Sequence, residues 1–179
     1  MEEKEFIQNL LNPKTQNEAF KKLLLVYQKP LYNHIRNIVL SHDDTDDVLQ
    51  NTFVKVFQHL KNFKGESKLF SWMYRIATNE AITFINKKVK QSGKTNTHLQ
   101  TKIVENLESD SYFDGDAIHL KLQKAILKLP EKQQLVFKMR YFEEIKYKDM
   151  SEILDTSVGA LKASYHHAVK KIEIFMNKD

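Results

Sequence analysis

Between Asn62 and Lys90 the residues follow a spacing that a long α-helix satisfies. Wound at about 100° per residue, Phe70, Met73, Tyr74, Ala77, Ala81, Phe84 and Ile85 fall within one arc, a face made for a core. The opposite side carries Trp72, Arg75, Asn79, Thr83 and Asn86, which is an aromatic ring, a guanidinium, two amides and a hydroxyl. A polymer of stackable bases and phosphates has a use for each of them. An ordinary helix with a polar solvent face and a half-buried tryptophan satisfies the same spacing. A short loop bearing Gly65, residues 62–68, runs into this helix.

The rest of the chain repeats that periodicity. No stretch alternates at period two, and four glycines and three prolines are too few for a turn-dense β fold. Apolar content of 41% supports real cores, so the expected class is all-α. No run approaches the ~20 apolar residues of a membrane span, so membrane insertion is not expected. The opening MEEKEFIQNLL is acidic and amphipathic, unlike a signal or transit peptide. Absence of cysteine excludes disulfides, thiolate nucleophiles and cysteine metal sites. The simplest compartment is the cytoplasm.

In chain order, residues 5–11 predict a short helix stopped near Pro13. Thr15 and Glu18 have capping-box spacing ahead of Phe20, Leu23, Leu24 and Tyr27. Pro30 is expected to divide that helix from the next, Leu31 to Leu40. Four aspartates near its start suit the dipole of a helix over Asp46 to Leu60, with Val48, Leu49, Thr52, Phe53, Val56, Phe57 and Leu60 inward. After Lys90 the pattern dissolves. Residues 91–116 read as a mostly flexible linker with a helical turn around Ile103–Leu107. Two small helical domains, 1–90 and 117–179, are therefore expected. Residues 1–90 hold 14 basic and 10 acidic side chains, 91–117 hold 2 and 5, and 118–179 hold 12 and 8. Two basic modules flank an acidic connector, the electrostatic footprint of a polyanion binder.

In the second module Pro130 is placed to open a helix. Helices over Tyr147–Leu154 and from Val158 to about Met176 flank the break Asp155-Thr156-Ser157, with Ser157 a natural N-cap. A short helix, a three-residue turn and a long basic helix read as helix-turn-helix. Its inward set is Met150, Ile153, Leu154, Val158, Leu161, Tyr165, Ala168 and Ile172. A plain helical hairpin is the rival reading. No enzymatic chemistry emerges. Adjacent His166 and His167 point about 100° apart on a helix, and no metal-ligand spacing recurs. The aspartate cluster lacks the glycine and distal glutamate of a calcium loop. Four dispersed glycines form neither a phosphate loop nor a dinucleotide fingerprint. No cofactor, metal or small-molecule substrate is expected.

Residues 43–88, DDTDDVLQNTFVKVFQHLKNFKGESKLFSWMYRIATNEAITFINKK, resemble the first conserved domain of bacterial RNA polymerase sigma factors. Residues 122–172, LQKAILKLPEKQQLVFKMRYFEEIKYKDMSEILDTSVGALKASYHHAVKKI, resemble their last domain. The linker is too short for intermediate domains, so the likeness is to the small extracytoplasmic-function (ECF) group. It covers most of residues 16–175.

The resemblance implies three surfaces and no catalytic residues. Asp43, Asp44, Asp47, Gln50, Asn51 and Phe53 would dock on the clamp helices of the polymerase core. The loop Lys61, Asn62, Phe63, Lys64, Gly65, Glu66, Ser67 and Lys68, with Trp72, Arg75, Asn79, Thr83, Asn86 and Lys87, would hold an opened −10 promoter strand with a base turned out. Ser157, Gly159, Ala160, Lys162, Ala163, Ser164, His166, His167 and Lys170 would read the −35 element as duplex. Promoter DNA and polymerase core are the implied partners, and an anti-sigma protein is a further one that the family admits. The last helix departs from the family pattern: relatives show T-V-K-S-R followed by further arginines, whereas this chain has Ala160-Leu161-Lys162-Ala163-Ser164-Tyr165-His166-His167. Two other classes fit parts of the chain. A free-standing helix-turn-helix regulator would not need the acidic helix, and a helical scaffold would show no salt-dependent DNA binding.

Overall fold

The computed structural model describes residues 3–105 and 116–177. Their regular structure is all helical: α1 (Glu3–Leu11), α2 (Gln16–Val39), α3 (His42–His59), a 3-10 turn (Leu60–Asn62), α4 (Leu69–Ser92), α5 (Asn96–Glu105), α6 (Ala117–Leu127), α7 (Glu131–Tyr141), α8 (Tyr147–Leu154) and α9 (Val158–Met176). The all-α expectation, with one helical region on each side of a connecting stretch, is the architecture found. No helix among the described residues is long and apolar enough to cross a membrane.

Several local expectations differ from the structure. Pro30 lies inside α2 and does not divide it. Proline removes one helix hydrogen bond and crowds the carbonyl four residues back, that of Val26. Val26 is 61% exposed, so water can satisfy that carbonyl, while fully buried Leu23, Leu31 and Ile35 pin the helix on both sides. Thr15 is the N-cap of α2 but makes no side-chain cap bond; its hydroxyl donates instead to the Asn9 carbonyl at 2.8 Å. α3 begins four residues earlier than expected, because Leu40 turns the chain in a left-handed conformation (φ 68°) and Ser41 caps the Asp44 amide. Phe57, expected inside, is 42% exposed and lies edge-on to Phe20. Pro130 is the N-cap of α7, one position before the expected first turn. Within the connecting stretch, α5 is a ten-residue helix rather than a single turn. The end of the expected turn, Leu107, lies outside the described residues.

Among the described residues, four apolar clusters organise the fold. One joins α1 to the root of α4 through Leu10, Leu23, Val56, Leu60, Phe63, Leu69 and Met73. Another belongs to the C-terminal region, where Ile126, Leu129, Phe137, Ala168 and Ile172 meet. A small one seats α5, with Val104 against Leu40, Leu120 and Leu127. The largest crosses between the regions. Leu31, Ile35, Tyr74, Ala77 and Ala81 pack against Val136, Met139, Ile145, Met150, Ile153 and Leu161. The apolar face of α4 is thus split: Leu69 and Met73 serve its own region, while Tyr74, Ala77 and Ala81 receive the C-terminal one. Met150 is fully buried at this junction, and truncating it to alanine would cost about 2–5 kcal/mol.

Candidate nucleic-acid interface

The loop before α4 is hung between two anchors. Phe63 is buried, its ring 4.9 Å from that of Trp72, and Leu69 is 1% exposed. Between them Lys64, Gly65, Glu66 and Lys68 stand exposed, with Ser67 half-buried. Gly65 takes φ +71° with open space around it, a conformation that costs glycine little. Lys61 and Asn62 are exposed on the 3-10 turn. Phe63 therefore holds the loop from below, while its neighbours present themselves to solvent. No side chain of the loop caps α4; Glu3 reaches over from α1 and accepts from the Leu69 amide at 3.0 Å.

Along α4, Arg75, Asn79, Thr83, Asn86 and Lys87 are all exposed. Trp72 heads the stripe half-buried, with part of its ring committed to Phe63. From Trp72 to Asn86 the rise is about 21 Å, the axial length of about six stacked nucleotides.

Two cations of this surface face carboxylates from α8 and its following turn. Lys68 Nζ donates to Asp149 Oδ1 at 2.7 Å, and this bond raises the Lys68 pKa. Arg75 Nη2 lies 3.7 Å from Asp155 Oδ1. Nearby, His34 Nδ1 donates to the Glu143 carboxylate at 2.9 Å, Asn37 Nδ2 donates to it at 3.2 Å, and His34 Nε2 is 2.8 Å from the Thr78 hydroxyl. The Tyr74 hydroxyl is pushed well above its ordinary range, first by burial and then by Glu143. None of these cross-region partners has a local signal, since His34 and Glu143 are 109 positions apart.

On α3, Asp43, Asp47, Gln50 and Asn51 are exposed. Asp44 is half-buried and hydrogen-bonds Lys88, while Phe53 sits half-buried between two clusters. Carboxylates in the first turn meet the positive end of the helix dipole.

The α8–α9 pair has the expected geometry. Asp155 turns the chain with φ 50°, and Ser157 Oγ accepts from the Ala160 amide at 3.2 Å, which commits that hydroxyl to capping. Gly159, Ala160, Lys162, Ala163, His166, His167 and Lys170 are exposed, and Ser164 is half-buried. Lys162 Nζ stands 5.9 Å from the Tyr147 ring centre. The small residues at the start of α9 leave the helix backbone open to close approach, as a major-groove floor requires. Val158, expected inward, is 36% exposed. Among the described residues no cluster of histidines and carboxylates could hold a metal ion.

Comparison with known proteins bears on the chain as a whole. The family model "Sigma-70 region 2" matches residues 23–91, and "Sigma-70, region 4" matches residues 119–172. The ECF RNA polymerase sigma factor SigW of Bacillus subtilis is 28% identical over 165 residues, covering 86% of each chain. The ECF RNA polymerase sigma-E factor of Haemophilus influenzae is 26% identical over 166 residues, covering 87% of this chain and 86% of that one. The fold is similar to CnrH, solved in complex with the cytosolic domain of CnrY, with TM-score 0.72, 17% identity, and coverage of 99% and 98%. It is also similar to the sigma factor RpoE of Bartonella quintana, solved with the anti-sigma factor NepR, with TM-score 0.67, 19% identity, and coverage of 90% and 99%.

Proposed function

This chain belongs to the extracytoplasmic-function group of bacterial RNA polymerase sigma factors, and on that premise we propose how its surfaces divide the work of a promoter-specificity subunit. Such a subunit binds polymerase core, recognises −10 and −35 elements and helps open the duplex. It is not an enzyme. Its place of work is the cytoplasm, with the polymerase and the chromosome.

The acidic stripe of α3 docks on the clamp helices of core. The loop 61–68 and the outer stripe of α4 hold the opened −10 strand, with a base received beside Gly65. Stacking an exposed base on an aromatic contributes ~1–3 kcal/mol. Turning a base out costs a few kcal/mol, so Trp72 and one pocket roughly offset it. Lys61, Lys64, Lys68 and Lys87 follow the phosphates. The exposed face of α9 enters the major groove at the −35 element, with Lys162 and Lys170 on phosphates and Ser164 and His166 towards base edges. The observation that carries this division is that an exposed, cationic, amide-rich stripe on α4 and an open face on a capped helix-turn-helix occur in one chain.

The two regions must separate to do this. Elements about 25 base pairs apart lie about 85 Å apart on B-DNA at ~3.4 Å per pair. A compact chain of this length has a radius of gyration of about 16 Å and spans only about 40 Å. In the packed arrangement Asp149 pairs with Lys68 and Asp155 lies beside Arg75, two cations of the surface assigned to the −10 strand. The packed form is thus the resting one, and binding core and promoter draws the regions apart. The Bartonella quintana factor is named with an anti-sigma partner, and we extend a partnership of that kind to this chain.

Co-elution with purified polymerase core tests the reading. A folded chain that binds promoter DNA but never associates with core would be a free-standing regulator instead. Trp72→Ala combined with Asn79→Ala should impair opened-promoter binding and spare core association; loss of core association would show the α4 stripe to be misassigned.

A further inference from the structure

α2, α4, α5 and α7 enclose a pocket of about 260 Å³ where the N-terminal region, the connecting helix and the C-terminal region meet. Its apolar wall is Ile38, Ile82, Ile85 and Leu135. Two polar side chains line it without partners among the described residues. Lys138 is 3% exposed and no carboxylate acts on its ammonium, so burial alone pulls its pKa down to about 8. Gln100 is 6% exposed, and its Oε1 accepts no hydrogen bond from any described residue. Of the other polar groups at the rim, Asn86, Glu131 and Lys132 are exposed to solvent, and the charges of Glu131 and Lys132 oppose each other. Asn96 Nδ2 donates to Glu131 Oε1 at 2.9 Å, and Gln134 Nε2 donates to the Leu129 carbonyl at 2.9 Å.

Buried polar groups in folded proteins are nearly always satisfied, so the orphaned Gln100 Oε1 and the unpaired ammonium of buried Lys138 on one cavity define what is missing. An ammonium requires an anion, a carbonyl-type oxygen requires a donor, and the remaining wall requires aliphatic surface. The volume falls just below the usual ~300–1,000 Å³ of ligand sites, which leaves room only for a small molecule. The ligand must also be a monoanion, because a buried charge is tolerated only when it is neutralised. A zwitterionic amino acid would leave the pair with a net positive charge. We propose that this pocket binds a small branched aliphatic hydroxycarboxylate, its carboxylate on Lys138 and its hydroxyl donating to Gln100 Oε1.

Because all three parts of the chain supply walls, an occupied pocket holds the two regions together, by mass action in proportion to ligand concentration. On the reading that the regions separate at a promoter, the ligand is then a brake on transcription initiation.

The test is calorimetric titration of the full chain at pH 7 with 2-hydroxy-4-methylpentanoate and 3-hydroxy-3-methylbutanoate. Either binding at one site per chain supports the proposal, and no heat with either overturns it. Lys138→Met keeps the aliphatic stem while removing the charge, and should weaken binding by about tenfold or more. Gln100→Leu should weaken it by about tenfold. Unchanged affinity in a folded Lys138→Met variant overturns the assignment. Equal affinity for 4-methylpentanoate removes the Gln100 contact, and tighter binding of L-leucine removes the monoanion requirement; each overturns the ligand class. Run-off transcription with the ligand present tests the brake separately. Binding without inhibition would support the site while overturning the separation of regions, so the two ideas fail on different measurements.

Discussion

His34 of α2 and Glu143, just beyond α7, form a bond at 2.9 Å between side chains that are 0% and 10% exposed. The carboxylate can only accept, so Nδ1 carries a proton. The other ring nitrogen lies 2.8 Å from the Thr78 hydroxyl, whose proton is donated to the Tyr74 carbonyl at 2.7 Å. His34 and Thr78 belong to the N-terminal region and Glu143 to the C-terminal one. The bond is therefore a latch between the two regions.

Glu143→Ala should cut it. The Nδ1–H is then buried without an acceptor, at a cost of about 1–3 kcal/mol. That shifts the packed-to-separated equilibrium by roughly tenfold to hundredfold. Small-angle scattering should show a radius of gyration rising above the compact value of about 16 Å. Thr78→Val is the control, because it removes a bond within one region and should lower the melting temperature without expanding the chain. Expansion by Thr78→Val alone would refute the latch.

The cross-region ion pairs of Lys68 and Arg75 should differ in consequence. Asp149 is 8% exposed and 2.7 Å from Lys68, a charge-assisted bond. Asp155 has a 91% exposed side chain, 3.7 Å from Arg75, and such pairs contribute little. Asp149→Asn should tighten binding of a single-stranded −10 oligonucleotide, and Asp155→Asn should leave it nearly unchanged. Fluorescence anisotropy at low salt reads both, and a larger effect from Asp155→Asn would reverse the argument.

How much of this was legible in the chain depends on how local the signal is. The α8–α9 pair was legible because Asp155, Thr156 and Ser157 carry the break and the cap side by side. The outer stripe of α4 was legible because periodicity places Arg75, Asn79 and Thr83 together whatever packs beneath. The start of α3 was not, since its left-handed turn is made by Leu40, a residue with no preference for that conformation. Nor was the continuity of α2 through Pro30, which depends on buried neighbours and an exposed Val26. Phe63 reads with its polar loop in sequence and sits in a core in space, because only the fold brings Trp72 over it. The latch, the Asp149 contact and the Lys138 pocket join residues distant in sequence, so no spacing announces them.

Exposed members of the α4 stripe should separate function from folding. Arg75→Ala and Asn79→Ala touch solvent-facing groups, so stability should change by no more than about 0.5 kcal/mol. Opened-promoter affinity should fall, and Arg75→Ala should also reduce the salt dependence by about 0.7 in the log–log slope for a single strand. Trp72→Ala is a less clean probe, since its ring also supports Phe63. Titration of a forked promoter template at several salt concentrations checks all three. An unchanged slope for Arg75→Ala would remove it from the phosphate path.

Lys138 should set how stability responds to alkaline pH. Burial alone lowers its pKa from 10.5 to about 8. Between those values the unfolded chain binds a proton that the folded chain has released, so stability rises with pH across the window. Below about pH 8 both states hold the proton, and the burden of the buried ammonium is fully present. At 1.36 kcal/mol per pKa unit that burden is at most about 3 kcal/mol. Lys138→Met should therefore stabilise the chain at pH 7 by up to that amount and abolish the rise between about pH 8 and pH 10.5. Urea unfolding of both proteins, at pH 7 and in steps through the window, reads the difference directly. A variant no more stable than the parent at pH 7 would mean that the ammonium already has a counter-charge. The pocket would then have no demand for an anion.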